Sequence, residues 1–535
     1  MLEGRGYDVS TRTLVARTAE RAIPAVGAES GTLRTGRVTA AIRALAGDNR
    51  QNVQRTWLEA VSRLLIDLRP DLADEVLAYL DVDAAELSPL AGLSIGEIGV
   101  VYEALLALSD HLGRRESGQF FTPDDVAHFM AVESARFTDG IWLDPCCGIG
   151  NLSFHLARAA RDPEGFVSER LVLVDRDPTA LKTAVSIMAA SFGGRDALTK
   201  LSARSEVRDF LSSKPLPHHD YAILNPPYAR AEKLAGFETG ESAELYAYFL
   251  EKVIKTSAGF IAITPASHLG GAKYASLRRL LQTRPGGTVL VFDNVPDTCF
   301  RGYKYGSTNT SKTNFVRAAI TTSAPGDRQW QVSPILRWAA RSRQRMWSRA
   351  REMVVPLRTG PAGEWAKVMP GTESVWDALA DGSTRLGDLV VKQKTVHRLN
   401  VASTPRYYIS ASKRQLDRGS QHVLFFRSKE EMDTAYLLLN SSVPYWWWRC
   451  LDGGITLPLR TLLSTPVPAS MRVDPAITTM LESSEETQVV TKLNAGRQNE
   501  NVRRPRELVA SLDKLVLTDV DFDFELVFAP DMFSE

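Results

Sequence analysis

At 535 residues the chain is longer than a single hydrophobic core usually grows, which predicts two or more packed units. Its 44% hydrophobic and 24% charged content excludes a disordered, collagen-like or disulfide-scaffolded chain. A formal net charge of +1 neither requires nor excludes a nucleic-acid partner, because basic surface can be local and balanced elsewhere.

The four cysteines, Cys146, Cys147, Cys299 and Cys450, form no CxxC pair, so no structural metal is expected and the metal-ligand set is read as none. They are too few to staple a chain of this length, which fits a reducing, cytoplasmic setting. The polar start, MLEGRGYDVSTRTLVART, lacks the apolar core of a signal peptide, and no run of apolar residues is long enough to span a membrane.

Taken in chain order, VQRTWLEAVSRLLIDL and GEIGVVYEALLALSDHL place apolar residues three and four apart between about Asn52 and Leu112, predicting amphipathic helices. From Gly140 to Val316 the texture changes to short apolar strands alternating with helical stretches: IWLDP, RLVLVDRD, YAILNPPY, GFIAITP and TVLVFDN. That alternation predicts a parallel, doubly wound α/β sheet. After about Ser323 the pattern is irregular, with strand-like YYIS and HVLFF, before a polar helical tail from about Ile477 to Leu515. The expected divisions are a helical domain over 1–95, an α/β catalytic domain over 96–325, a mixed α+β domain over 326–475 and a helical tail over 476–535.

The strand IWLDP runs into CCGIGNLSFHLARAA, a Gly-containing turn that opens a helix, which is the Rossmann-type place for a nucleotide-like ligand. Gly148 and Gly150 let the backbone approach such a ligand closely, and Asp144 at the strand end offers a carboxylate to an ammonium. The next strand ends in Asp175, placed to take both hydroxyls of a ribose in a bidentate hydrogen bond. Asp177, before Pro178, reads better as a helix cap.

Asn225-Pro226-Pro227-Tyr228 is the sharpest signal in the chain. Two prolines end the strand and fix an extended backbone without amide donors, leaving the Pro226 carbonyl and the Asn225 amide oxygen as paired acceptors. Two acceptors match one NH2 group. Hydrogen bonds to both would hold an aromatic amine nearer tetrahedral geometry and free its lone pair to attack a sulfonium methyl group, so that positioning and electrostatics carry catalysis. Tyr228 is placed to stack on the ring bearing that amine. A strand-terminating turn is the plain structural alternative.

In this order SGQFFTPDDVAHFM, DPCCGIGN, LVDRDP, RDFL and NPPY resemble the successive motifs of the adenine-specific (N6) DNA methyltransferases, over about Gly96 to Val316. The stretch GVVYEALL…RRESGQFFTP is similar to the modification subunits of type I restriction systems, and the C-terminal part loosely resembles the target-recognition regions of type II and IIG enzymes. The resemblance implies a Rossmann-like S-adenosyl-L-methionine (SAM)-dependent domain between an N-terminal helical domain and a C-terminal mixed α+β target-recognition domain. By position it implies that Gln119, Thr122 and Pro123 lie beside the methionine end of SAM, with Asp144, Cys146 and Gly148 in the loop beneath. It assigns Asp175 to the ribose, Asp209, Phe210 and Phe249 to the SAM adenine, and Asn225, Pro226, Pro227 and Tyr228 to the target amine. Phe300, in the unusual segment CFRGYKYGSTNTSKTNFV, is its aromatic beside a flipped base. Cys146 and Cys147 read as small buried residues, since amine methylation needs no thiol.

The implied partners are double-stranded DNA and a specificity, restriction or other defence-system subunit in a bacterial cytoplasm. Lys392, Lys394, His397 and Arg398 offer cations to phosphates, or form a solvated basic face. The run Tyr445-Trp446-Trp447-Trp448-Arg449 suits a core better than a DNA surface. Rival readings are methylation of a protein glutamine, of RNA or of cytosine, the last usually signalled by SPPY, and a silent subunit that needs a specificity partner. No nuclease constellation and no GxxxxGK[ST] loop is present, so cleavage and ATP-driven movement are not expected of this chain.

Overall fold

The computed structural model describes residues 23, 34–46, 53–109, 122–300, 304–305, 308–309, 316–382, 384–405, 408–454, 456–494, 497–518 and 524–534. The described residues form two compact units: one holds those up to 265 with 279–287 and 298–328, the other those in 266–278, in 288–297 and from 329 onward.

The first unit begins with helices α1 (Thr35–Ala46), α2 (Val53–Leu68), α3 (Ala73–Leu80), α4 (Ile95–Ser109) and α5 (Asp124–Glu133). An α/β alternation follows: β1 (Trp142–Asp144), α6 (Asn151–Ala159), β2 (Leu171–Asp175), α7 (Pro178–Phe192), α8 (Arg195–Arg204), β3 (Glu206–Val207), β4 (Tyr221–Leu224), α9 (Leu245–Thr256) and β5 (Gly259–Pro265). The strands lie in the order β3-β2-β1-β4-β5, all parallel, and β1, β2 and β4 are buried throughout. Strands covered on both faces need unbroken apolar runs, and LVLVD and YAIL supply them.

Beyond β5 the strand Ala318–Ser323 pairs antiparallel, Ile263 facing Ile320, so the sheet is mixed and not wholly parallel as its sequence predicted. Such an edge is common on doubly wound sheets, and alternation of strand and helix does not encode it. The helices expected as a domain of their own share this unit with the sheet. Trp57 on α2 donates its indole N–H to Thr183 Oγ1 on α7 at 2.9 Å, and the Tyr102 hydroxyl on α4 donates to Asp177 at 2.8 Å.

The second unit contains an antiparallel four-stranded sheet in the order Val390–Val391, Gln421–Phe426, Arg398–Ala402, Ala411–Ser412. Helices Lys429–Asn440, Val443–Leu451, Pro475–Thr487 and Arg506–Val516 share its core. The 476–535 segment is not helical throughout, as a hairpin of Val489–Asn494 and Arg497–Val502 interrupts it. Val489 and Val490 start that strand where β-branched side chains favour extended backbone over helix.

Candidate functional site

Because β1 and β4 are neighbours while the chain order reverses between them, the loops leaving both strands open on one side of the topological switch point, where open α/β sheets bind ligands. Asp144 and Asn225 thereby come to one place. A cavity of about 390 Å³ lies there, within the range of small-molecule sites.

Its floor is the loop Pro145–Ile149, which Gly150 joins to α6. Gly148 and Gly150 have φ of +52° and +93°, which side-chain-bearing residues rarely adopt, and a Cβ on Gly150 would stand 3.1 Å from the Ala184 Cβ. The Gly148 N–H donates to Asp175 Oδ2 at 2.8 Å and the Asp177 N–H to Oδ1 at 2.9 Å. Each Asp175 oxygen keeps a lone pair for a further donor, so the carboxylate is fixed and still able to take two hydroxyls. Burial pushes its pKa up, opposed by those two N–H groups. Asp177 caps α7, accepting from the Thr179 and Ala180 N–H groups at 2.9 and 3.3 Å.

Asp144 is buried at the end of β1, where Oδ2 accepts from the Ser153 hydroxyl at 2.8 Å and Oδ1 has no partner among the described residues. Burial pushes this carboxyl up to about 7; the Ser153 hydroxyl and the Cys146 backbone N–H oppose the shift and the nearby Asp175 charge adds to it. The Cys146 thiol donates to the Asn225 carbonyl at 3.4 Å, tying the two loops together. Burial raises both loop thiols well above the usual range, which removes their thiolate and leaves them packing roles.

Thr122 joins the first and last motifs. Its hydroxyl accepts from Asn225 Nδ2 at 2.9 Å and its carbonyl accepts from Asn151 Nδ2 at 2.6 Å. With its nitrogen held on Thr122, the Asn225 amide presents its oxygen as an acceptor. Pro123 sits one residue on, as the N-cap of α5, and does not line the cavity. Gln119 lies outside the described residues.

Phe210 and Phe249 pair with ring centroids 4.9 Å apart at the far wall, and the Lys252 ammonium lies 5.1 Å over the Phe210 ring. Asp209, exposed beside them, accepts from the Leu211 N–H at 2.9 Å. Of the last motif, Asn225 and Pro227 line the cavity, whereas Pro226 and Tyr228 stand beside it. The Tyr228 hydroxyl donates to the Ile263 carbonyl at 3.1 Å, and its ring meets Phe300 edge-on with centroids 5.9 Å apart. The structure therefore gathers Thr122, Asp144, Cys146, Gly148, Asp175, Asp209, Phe210, Asn225, Pro227 and Phe249 on one cavity, with Tyr228 and Phe300 paired at its side.

Sequence reasoning missed one wall. Gly99, Tyr102, Glu103 and Leu106 of α4 line the cavity, and their three- and four-residue spacing reads in the sequence only as an ordinary packed helix face. The basic residues of the second unit fall elsewhere: Lys392, Lys394 and Arg398 are exposed and His397 half-buried. Tyr445, Trp446, Trp447 and Trp448 are core, Trp447 stacking on Trp376 at 4.6 Å, while Arg449 pairs with Asp293 at 2.7 Å.

A Gly-turn after β1, an acidic end to β2 and a two-acceptor loop after β4, on a sheet of this order, define the class of SAM-dependent methyltransferases. Residues 94–234, from the start of α4 past the Asn225–Tyr228 loop, match the family model of the N-6 DNA methylases, and over them the chain carries a methyltransferase domain of that kind. No curated protein matches the chain. Among solved structures it is similar to the type I restriction-modification methyltransferase subunit of Streptococcus thermophilus, at 16% identity and a TM-score of 0.32 over 61% of this chain and 72% of that one. It is also similar to the M protein of the type I restriction enzyme EcoKI, at 15% identity and a TM-score of 0.30 over 61% and 65%. A third is the DrdV–DNA complex, at 13% and 0.39, where the match covers 74% of this chain but 47% of the DrdV chain. Among the described residues no helix is long and apolar enough to cross a membrane, and no group of three or more His, Cys, Asp or Glu side chains is placed to hold a metal.

Proposed function

We propose that the chain is a site-specific DNA methyltransferase acting on the exocyclic N6 amine of adenine, in restriction-modification or phage defence. The observation that carries the reading is the Asn225 amide, held by Thr122 at the edge of the cavity that Asp144, Gly148 and Asp175 line. SAM supplies an electrophilic methyl group on a positively charged sulfur. The residues present suit it: Asp175 for the ribose hydroxyls, the Phe210–Phe249 pair for the adenine ring, and the buried, half-satisfied Asp144 for a donor at the methionine end.

The Asn225 oxygen and the Pro226 carbonyl would accept the two N–H groups of the target amine and leave its lone pair free for a methyl group of bound SAM; forming the N–C bond would break the S–C bond, leaving a neutral thioether, and release one amine proton to solvent. Asparagine at the head of the motif favours adenine over cytosine. A base inside a duplex cannot reach this loop, so extrusion from the stack is part of the reading, with Tyr228 as the face it stacks on and Phe300 beside it. Residues 326–475 are the proposed target-recognition region, with Lys392, Lys394 and Arg398 meeting phosphates. The EcoKI and S. thermophilus relatives are parts of type I systems, so a specificity subunit is the partner to test first.

Purified chain is incubated with unmethylated bacterial DNA and methyl-labelled SAM, and nucleosides are analysed beside an Asn225→Ala variant. The expected outcome is labelled N6-methyladenine, reduced about 10²- to 10³-fold in the variant. Label on cytosine, on RNA or on protein, or a variant as active as the parent, overturns the reading. Label that needs an added specificity subunit keeps the chemistry and makes the chain one part of a complex.

A further inference from the structure

Helix α4 brings to the cavity a carboxylate that the catalytic reading leaves unused. It carries two acidic residues in an otherwise apolar sequence, and they differ in their partners. Glu97 accepts from Arg34 Nε at 2.9 Å and from the Ser94 N–H at 3.0 Å. Glu103 lines the cavity one turn below Gly99 and beside Tyr102, and among the described residues it has neither a hydrogen bond nor an ion pair. A carboxyl left without a partner against a cavity is costly unless a ligand completes it.

The rest of the lining sharpens the point. Five carboxyl groups face the cavity, Glu103, Asp144, Asp175, Asp177 and Asp209, against two guanidinium groups, Arg176 and Arg208. Arg176 is exposed to solvent, and Arg208 is engaged with Glu206 at 2.9 Å and with the carbonyls of Lys214 and Pro215. Asp175 and Asp177 hold backbone N–H groups, and Asp177 holds the Tyr102 hydroxyl as well. Of the remaining neighbours, burial raises the Cys146 and Cys147 thiols and keeps them protonated, and the Tyr102 hydroxyl is spent as a donor to Asp177. An acidic excess around a cavity selects a cation.

We propose that Glu103 is a further cofactor-holding residue, its carboxylate taking a positive charge of SAM at the α4 wall. The inference rests on the SAM reading of the cavity and adds to it the residue that separates a charged methyl donor from a neutral ligand. Burial pushes the Glu103 carboxyl up to about 8, so near pH 7 it carries its proton. A cation placed against it favours the ionised form, and the proton leaves to the buffer, so charge balances on binding. SAM affinity therefore rises with pH toward about 8 and levels off above it.

The test is calorimetric titration of the full chain with SAM and with S-adenosylhomocysteine, near pH 7, in two buffers of different ionisation enthalpy. Glu103→Gln, nearly the same shape, is compared with the parent, and Glu103→Asp serves as a charge-retaining second variant. The expected result is proton release on SAM binding by the parent, lost in large part in Glu103→Gln, with SAM bound about 10- to 100-fold more weakly. Glu103→Asp retains the proton release with intermediate affinity. An equal loss for S-adenosylhomocysteine assigns the α-ammonium to Glu103, and a loss confined to SAM assigns the sulfonium; both support the inference. Equal affinity and equal proton release in parent and Glu103→Gln, with matching thermal unfolding, overturn it, because Asp144 and Asp175 remain in both proteins. A parent that binds no SAM overturns the cofactor reading instead.

Discussion

Two settings for buried carboxyl groups, one in each unit, contrast in how the group is met. In the second, Glu485 is buried but accepts from Arg504 at 3.1 Å, from the Tyr436 hydroxyl at 2.5 Å and from Ser412 at 2.9 Å, while Arg504 also donates to the Asn440 side chain and to the carbonyls of Ala411 and Leu481. In the first, Asp144 and Glu103 stand against a cavity with bonding capacity left over. A satisfied buried network fixes packing. A buried carboxylate with unused acceptors carries a desolvation cost that a ligand can relieve, and such groups cluster at functional sites.

The largest effect expected from this contrast is in the paired region. Glu485→Ala leaves the Arg504 guanidinium buried without its anion and should cost about 3–5 kcal/mol, read as a shift in urea unfolding of the full chain, with SAM affinity unchanged. Little loss of stability in that variant would break the distinction between the two regions.

A smaller effect of opposite sign is expected at Asp144. Its folded pKa of about 7 lies above the unfolded value near 3.8, so between those limits the unfolded chain gives up the proton first and stability falls as pH rises, levelling above 7. Asp144→Asn removes this group's share of the decline, on the order of 2 kcal/mol between pH 5 and pH 7, measurable as a shallower pH slope in urea unfolding across that window, while the raised Glu103 keeps a decline of its own. A variant that keeps the parent's pH slope would place the unpaired charge elsewhere.

The smallest change is expected at the exposed basic stretch. Lys392→Ala with Lys394→Ala should weaken DNA binding several-fold and lower the logarithmic salt slope by about one for each phosphate that is no longer neutralised. SAM binding and unfolding should not change. An unaltered salt dependence would make this a solvated face.

Much of the site was readable because it is local: a strand, a Gly-turn, a carboxylate at the next strand end and NPPY each carry their own backbone requirement. Asp177 was legible as a cap for the same reason, since a cap involves only two or three neighbouring residues. Glu103 was not, because nothing in VVYEALL separates a cavity-facing helix side from a core-facing one. The antiparallel strand Ala318–Ser323 and the strand pair Val489–Asn494 and Arg497–Val502 were missed because strand direction and pairing are set by partners outside the local pattern. The run YWWWR shows the converse, its aromatic composition fitting both a core and a DNA surface until the packing of Trp447 on Trp376 decided it.

The α/β class, the succession of strands along the chain and the residue types at each strand end can be read from the chain alone, since periodicity and turn chemistry act over a few residues. The folded arrangement was needed to see that β1 and β4 are neighbours, that Thr122 bridges Asn151 and Asn225, and that α4 lines the cavity with Glu103. Those pairings join residues far apart along the chain, and they exist only once the sheet has ordered its strands.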